Sequence, residues 1–277
     1  MLLPLLAASL VQLAGPPAGH GVRVVADVDY VPEAAYEHDR DKLDLYLPEG
    51  RQGFPVVVWI HGGAVRTGSK AGAAHVGRTL AAAGVGMIAI NHRLSPQVRH
   101  PAHAQDAARA VAWAKRHVKE YGGDPGALFL AGHSSGAYLS ALLALDGRYL
   151  AAHQLQPTDL AGAISVSGFF WVEEIAPVRP EDVWGADPGA WPAASPSHFV
   201  RSEAPQLLLI YADGDEDWRR SQNERMAAAL RQAGHARVEI REVRGRDHLT
   251  INDRIGPGDE VAELVLGFVT RRVGAAR

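Results

Sequence analysis

The sequence predicts an α/β fold, a mostly parallel eight-stranded sheet flanked by helices, with one short insert. Three observations carry this expectation. From Val22 onward short β-rich runs alternate with helical stretches, the pattern of a parallel sheet covered on both faces. The central runs are apolar throughout, as strands buried on both sides should be. At 277 residues, 47% hydrophobic and 21% charged, the chain can bury one sizeable core, and no low-complexity linker divides it.

The elements follow in order. Val22 to Val31 and Lys42 to Pro48 read as opening strands, the second with Leu43, Leu45 and Leu47 alternating against polar neighbours, and together they suggest an antiparallel edge pair. Pro55 to Ile60 is a continuous apolar strand. Gly86 to Asn91, Leu128 to Ala131, Ala163 to Val166, Leu207 to Tyr211 and Val238 to Val243 complete the eight. Between them, Ala102 to Tyr121 places Ala107, Ala110, Val111, Ala114 and Val118 at helical spacing and stops at Gly122-Gly123. Residues 137–145, 218–233 and 259–272 also read as helices. Residues 22–277 thus form a single domain, in which 169–205 is a long segment without periodicity, a short cap or insert.

Residues 1–21 stand apart. Leu2 to Ala14 is an apolar stretch of signal-peptide length, too short to span a bilayer. No Lys or Arg precedes Arg23, and Pro16-Pro17 spoils the favoured cleavage site, so a cleaved signal and a disordered tail both stay open, and with them export and cytoplasmic retention. A net charge of −3 without a long basic run argues against nucleic acid as a partner. The absence of cysteine removes disulfides, thiolate zinc sites and cysteine nucleophiles.

Chemistry concentrates in three places. Gly132-His133-Ser134-Ser135-Gly136 follows a strand directly and opens a helix. With 29 glycines in the chain the bare string is weak, but a strand before and a helix after match a strained turn that exposes a serine hydroxyl. His61-Gly62-Gly63-Ala64 ends the strand Pro55 to Ile60. Backbone N–H groups of Gly63 and Ala64, with that of Ser135, could stabilise a tetrahedral oxyanion, each donor being worth about 3 kcal/mol in the transition state. His61 itself reads as a residue that orders the loop.

A serine hydroxyl needs a base, and the base needs an orienting carboxylate, in chain order Ser, acid, His. The acid comes from the cluster Asp213, Asp215, Asp217, with Asp215 favoured, just past the strand Leu207 to Tyr211. His248 follows the last strand and stands out among 13 histidines by that position. The acidic cluster lacks the ligand spacing of a calcium loop, so no metal and no cofactor is expected. The insert holds Phe169, Phe170, Trp171, Trp184, Trp191 and Phe199, which suggests an aromatic substrate pocket with Trp171, Trp184 and Trp191 as candidates; the same rings could equally form the insert's own small core.

Taken together, Leu43-Asp44-Leu45-Tyr46-Leu47-Pro48, the His61-Gly62-Gly63 loop, Asn91-His92-Arg93-Leu94-Ser95-Pro96, Asp106 with Trp113, Tyr121-Gly122-Gly123-Asp124-Pro125, the Ser134 turn and Gly245-Arg246-Asp247-His248 resemble the carboxylesterase branch of the α/β-hydrolases. The likeness spans nearly everything after residue 22 and is greatest to the feruloyl-esterase-like and hormone-sensitive-lipase-like groups, with kynurenine formamidases as near relatives. It implies an α/β-hydrolase fold, a small-molecule ester substrate, Ser134 as nucleophile, Asp215 as acid, His248 as base, and an oxyanion hole at Gly63, Ala64 and Ser135. Ala64 and Val65 depart from the third glycine or aromatic residue that many relatives carry after the two glycines. Amide cleavage, as by a formamidase, is the alternative chemistry, and a non-catalytic binding module is the alternative from a different class.

Overall fold

The computed structural model describes residues 19–33, 36–175 and 181–275, so the apolar stretch Leu2 to Ala14 lies outside the described residues. Eight strands form one sheet: β1 (Val22–Asp29), β2 (Lys42–Pro48), β3 (Phe54–Ile60), β4 (Gly86–Ile90), β5 (Gly123–His133), β6 (Gly162–Val166), β7 (Gln206–Gly214) and β8 (Val238–Asp247). Their order across the sheet is β1-β2-β4-β3-β5-β6-β7-β8. The first two strands pair antiparallel and β2 is antiparallel to β4; every other neighbouring pair is parallel.

The apolar runs of the central strands follow from burial on both faces. In β3, Val56, Val58 and Ile60 enter one cluster with Leu128 and Leu130 of β5, while Val57 and Trp59 enter another with Phe129 and Ala131. Alternate side chains therefore serve two cores, and each large one that is fully buried contributes roughly 1.5–3 kcal/mol. The first core is covered by α2 (Ala102–His117) and α3 (Ser135–Leu145), the second by α1 (Ala74–Ala82) and α7 (Glu260–Ala275). A third cluster joins α3 to α5 (Asp217–Gln232). Two short helices, α4 (Gly147–Ala151) and α6 (Thr250–Asp253), complete the set among the described residues. No described helix is long and apolar enough to cross a membrane.

Helix α3 is buried at every position, which is why it shows no polar face. Helix α1 escapes the sequence reading for a physical reason: it lies so close to the sheet that a Cβ at Gly77 would come within 2.4 Å of the Tyr46 ring, so a glycine interrupts what would otherwise be an apolar stripe. The loop after β4 is fixed to α2 by a two-pronged ion pair, Arg93 Nε and Nη2 donating to Asp106 at 2.8 and 2.7 Å.

Candidate active site

The turn between β5 and α3 explains its own sequence. Ser134 sits at φ 55°, ψ −117°, a conformation that costs a non-glycine residue of order 1–3 kcal/mol and persists only where its surroundings impose it. Its neighbours leave no room: a Cβ on Gly132 would come 2.4 Å from the Gly136 carbonyl carbon, and one on Gly136 would come 2.0 Å from the Ile60 oxygen. Both glycines are steric requirements of a helix that starts against the end of β3. The Ser134 N–H donates to the Val166 carbonyl at 2.9 Å, fixing the turn to β6.

The structure brings Ser134, His248 and Asp215 together. Ser134 Oγ lies 2.9 Å from His248 Nε2, and His248 Nδ1 lies 2.9 Å from Asp215 Oδ1. The other two carboxylates go elsewhere: Asp213 accepts from the Arg246 N–H, and Asp217 pairs with Arg220. Asp215 is buried, and its second oxygen accepts from Ser167 Oγ at 2.6 Å and from the Ala212 N–H at 3.0 Å. Burial pushes this carboxyl up, but the bonds from His248, Ser167 and Ala212 and the nearby Arg219 charge outweigh it, so Asp215 is held below the usual carboxylate range. Arg219 Nε stands 3.6 Å from Asp215 and also donates to Glu216, while Nη1 donates to the Ser167 carbonyl. Asp215, Glu216 and His248 are also the one cluster of potential metal ligands among the described residues, but Asp215 and His248 already spend their facing atoms on each other.

The glycine-rich loop is as constrained as the serine turn. Gly63 has φ 115°, and its carbonyl accepts from the Arg66 and Thr67 N–H groups, both at 3.0 Å. Ala64 and Val65 follow at φ 58° and 57°, an arrangement non-glycine residues rarely adopt. The Val65 N–H donates to Ser135 Oγ at 3.1 Å, fastening the loop to the start of α3. Among the described residues the N–H groups of Gly63 and Ala64 have no acceptor, and that of Ser135 belongs to the first turn of α3, where helix N–H groups lack partners.

His61 has no described hydrogen bond to Ser134. Its ring stacks on His92 with centroids 4.5 Å apart, its Nδ1 donates to the Gly62 carbonyl at 2.7 Å, and burial lowers it to about 4, so it stays neutral at physiological pH. His133 is a functional neighbour that sequence reasoning passed over: its Nε2 donates to the His248 carbonyl at 2.7 Å, tying the serine turn to the histidine loop. Ser167 was likewise missed, since a lone serine after an apolar strand carries no signal of its partner.

A cavity of about 780 Å³ opens at Ser134, walled by Gly63, Ala64, Thr67, Glu216, Leu249 and Asn252 among others. None of the three candidate tryptophans is among its lining residues. Trp184 packs edge-on against Tyr138 and Phe169 and donates to the Tyr138 hydroxyl; Trp191 donates to the Gly185 carbonyl; Trp171 lies beneath the Arg225 guanidinium, 4.2 Å away. Their indoles are consumed by packing the insert onto α3 and α5.

A strained serine at a strand-to-helix turn, bonded to a histidine and a buried aspartate on later strand ends of a mostly parallel sheet, defines the class of α/β-hydrolases. Residues 43–167 match the BD-FAE family model. Esterase LipQ of Mycobacterium tuberculosis is 30% identical over 97% of this chain and 68% of its own length, and esterase LipC of the same organism is 31% identical over 78% of this chain and 59% of its own. A truncated carbohydrate esterase from gut microbiota superposes with a TM-score of 0.79 at 22% identity, over 94% of this chain and 99% of that one. The chain belongs to the α/β-hydrolase carboxylesterases and is a serine hydrolase of the esterase type. It spans less than two thirds of LipC.

Proposed function

We infer that Ser134, His248 and Asp215 are the catalytic triad of this esterase, and that Gly63, Ala64 and Ser135 donate to its oxyanion. The observation that carries this reading is the unbroken chain of two 2.9 Å contacts from Ser134 Oγ through His248 to Asp215. The Ser134 hydroxyl is a poor nucleophile until His248 Nε2 takes its proton as the oxygen attacks the ester carbonyl. Asp215, ionised and bonded at Nδ1, fixes the tautomer that leaves Nε2 free to accept and stabilises the imidazolium that forms. Negative charge developing on the carbonyl oxygen meets N–H groups already pointed by strained backbone, so little reorganisation is needed at the transition state. His248 then returns the proton to the leaving alcohol, and water, activated at the same nitrogen, releases the acid from Ser134.

Leu249, among the residues lining the cavity at Ser134, is 64% exposed, which suits small acyl groups on alcohols that extend into solvent. The test is hydrolysis of p-nitrophenyl acetate and butyrate by wild type and Ser134→Ala, with a fluorophosphonate label on both. Turnover and labelling in wild type and neither in Ser134→Ala is the expected result. A Ser134→Ala protein that still labels would place the nucleophile elsewhere.

A further inference from the structure

A second cavity, of about 740 Å³, lies outside the site just described, between α2, α4 and the insert. Its walls carry Arg93, Arg109, Arg148, His100, His153 and Trp184, and no aspartate or glutamate is among its lining residues. Two of the arginines are braced from behind. Arg93 spends Nε and Nη2 on Asp106, and Arg148 spends Nε and Nη2 on Asp146, both of these carboxylates being buried. Arg109 has no carboxylate partner among the described residues; its Nη1 donates to the Tyr36 hydroxyl at 2.5 Å. That leaves Nη1 of Arg93, Nη1 of Arg148 and Nη2 of Arg109 without a described hydrogen-bond partner, and all three residues line this one cavity, although Arg93 also lies over the Tyr36 ring and Arg148 over that of Phe199.

Guanidinium groups held rigid by buried carboxylates while keeping N–H edges free are suited to planar or tetrahedral oxyanions. The neighbouring histidines report the same positive field. His100 is lowered to about 4 by burial and then by Arg148, and His153 is lowered by burial and then by Arg109 and Arg116. A smaller cavity shares Arg93 with this one and Arg66 with the cavity at Ser134.

We propose that the cavity walled by Arg93, Arg109 and Arg148 is a binding site for a multiply charged oxyanion, a phosphate or a di- or tricarboxylate. Such a group could arrive as a free anion or as the far end of an ester whose carbonyl lies at Ser134.

The test uses the full chain and begins with calorimetric titration of citrate and of pyrophosphate at low salt and neutral pH, a readout independent of which residue is the nucleophile. Arg109→Gln is the informative variant, because it leaves both buried carboxylates paired; Arg148→Lys keeps the charge beside Asp146 but loses the fork. One-site binding, weakened at least tenfold by Arg109→Gln and by added salt, is expected. Absence of binding by wild type, or binding unchanged in both variants, overturns the site. The source is then read from turnover. If Arg109→Gln lowers kcat/KM only for an acetyl ester bearing a phosphate at the far end of its alcohol, the anion belongs to the substrate. If citrate instead changes turnover of p-nitrophenyl acetate in wild type and not in Arg109→Gln, the anion is free.

Discussion

The serine turn and the insert 169–205 touch through Tyr138, Phe169 and Trp184, yet they are built by different means. The turn is backbone geometry: positive φ at Ser134, glycines that admit no Cβ, and ladder strands on either side. The described residues of the insert form no ladder. Its described residues form 3₁₀ turns whose backbone groups are satisfied by buried side chains, Gln222 accepting from the Phe170 and Trp171 N–H groups and Ser195 from that of Val172. Arg66, beside the glycine-rich loop, reaches the insert at Asp182, 3.4 Å away. The position of Ser134 thus rests on closely packed backbone, whereas the insert is held by side-chain contacts.

The largest test of that contrast is Ser134→Ala or His248→Ala, each expected to lower kcat on p-nitrophenyl acetate by about 10⁴-fold or more with the melting temperature nearly unchanged. Gly136→Ala attacks the frame itself. Its Cβ would strike the Ile60 carbonyl, which is backbone and cannot yield, so a loss of stability of at least about 3 kcal/mol, read by denaturant titration, is expected. Ser167→Ala removes one of three donors on Asp215, and because a bond to a charged group is worth about 1.5–3 kcal/mol, kcat should fall roughly 10-fold or more with little change in KM. Trp184→Ala and Trp191→Ala probe the other side of the comparison: a lower melting temperature, and an unchanged ratio of aryl to alkyl ester turnover.

A pH series sharpens the same contrast, since the buried histidines sit around the frame. His61, His100, His103 and His133 are each lowered to about 4 by burial, against 6.5 for a free imidazole. Their folded values lie below their unfolded ones, so the unfolded chain binds protons that the folded chain refuses. Their contribution to stability is complete above about pH 6.5 and is lost as pH falls towards 4. Denaturation curves at pH 8, 6 and 5 should show stability falling by more than one proton's worth per pH unit over the lower interval. A flat profile would contradict the burial of these rings.

Much of this was legible in the sequence because it is local. Apolar runs reveal strands buried on both faces, and the 132–136 motif carries its own steric explanation. The match of Ser134, the acidic run Asp213 to Asp217 and His248 to strand ends needed only chain order. What was not legible depends on distant partners. Nothing in the run Asp213 to Asp217 says which carboxylate reaches the imidazole, because the choice is made by Ser167 and Ala212. The tryptophans admit two readings for the same reason: an indole that fills a pocket and one that packs a turn look identical until Tyr138 and Phe169 are placed beside Trp184.

The glycine-rich loop, Ser134, Ser167, Asp215 and His248 hang from β3, β5, β6, β7 and β8, which are consecutive in the sheet. Adjacent strands stand roughly 4.8 Å apart. The sheet is therefore a gauge of fixed pitch, along which each reacting group occupies its own graduation. Helices on the outer faces can lengthen, tilt or be exchanged without altering the gauge, whereas removing β6 would shift Asp215 against Ser134 by a whole step, farther than any hydrogen bond can follow.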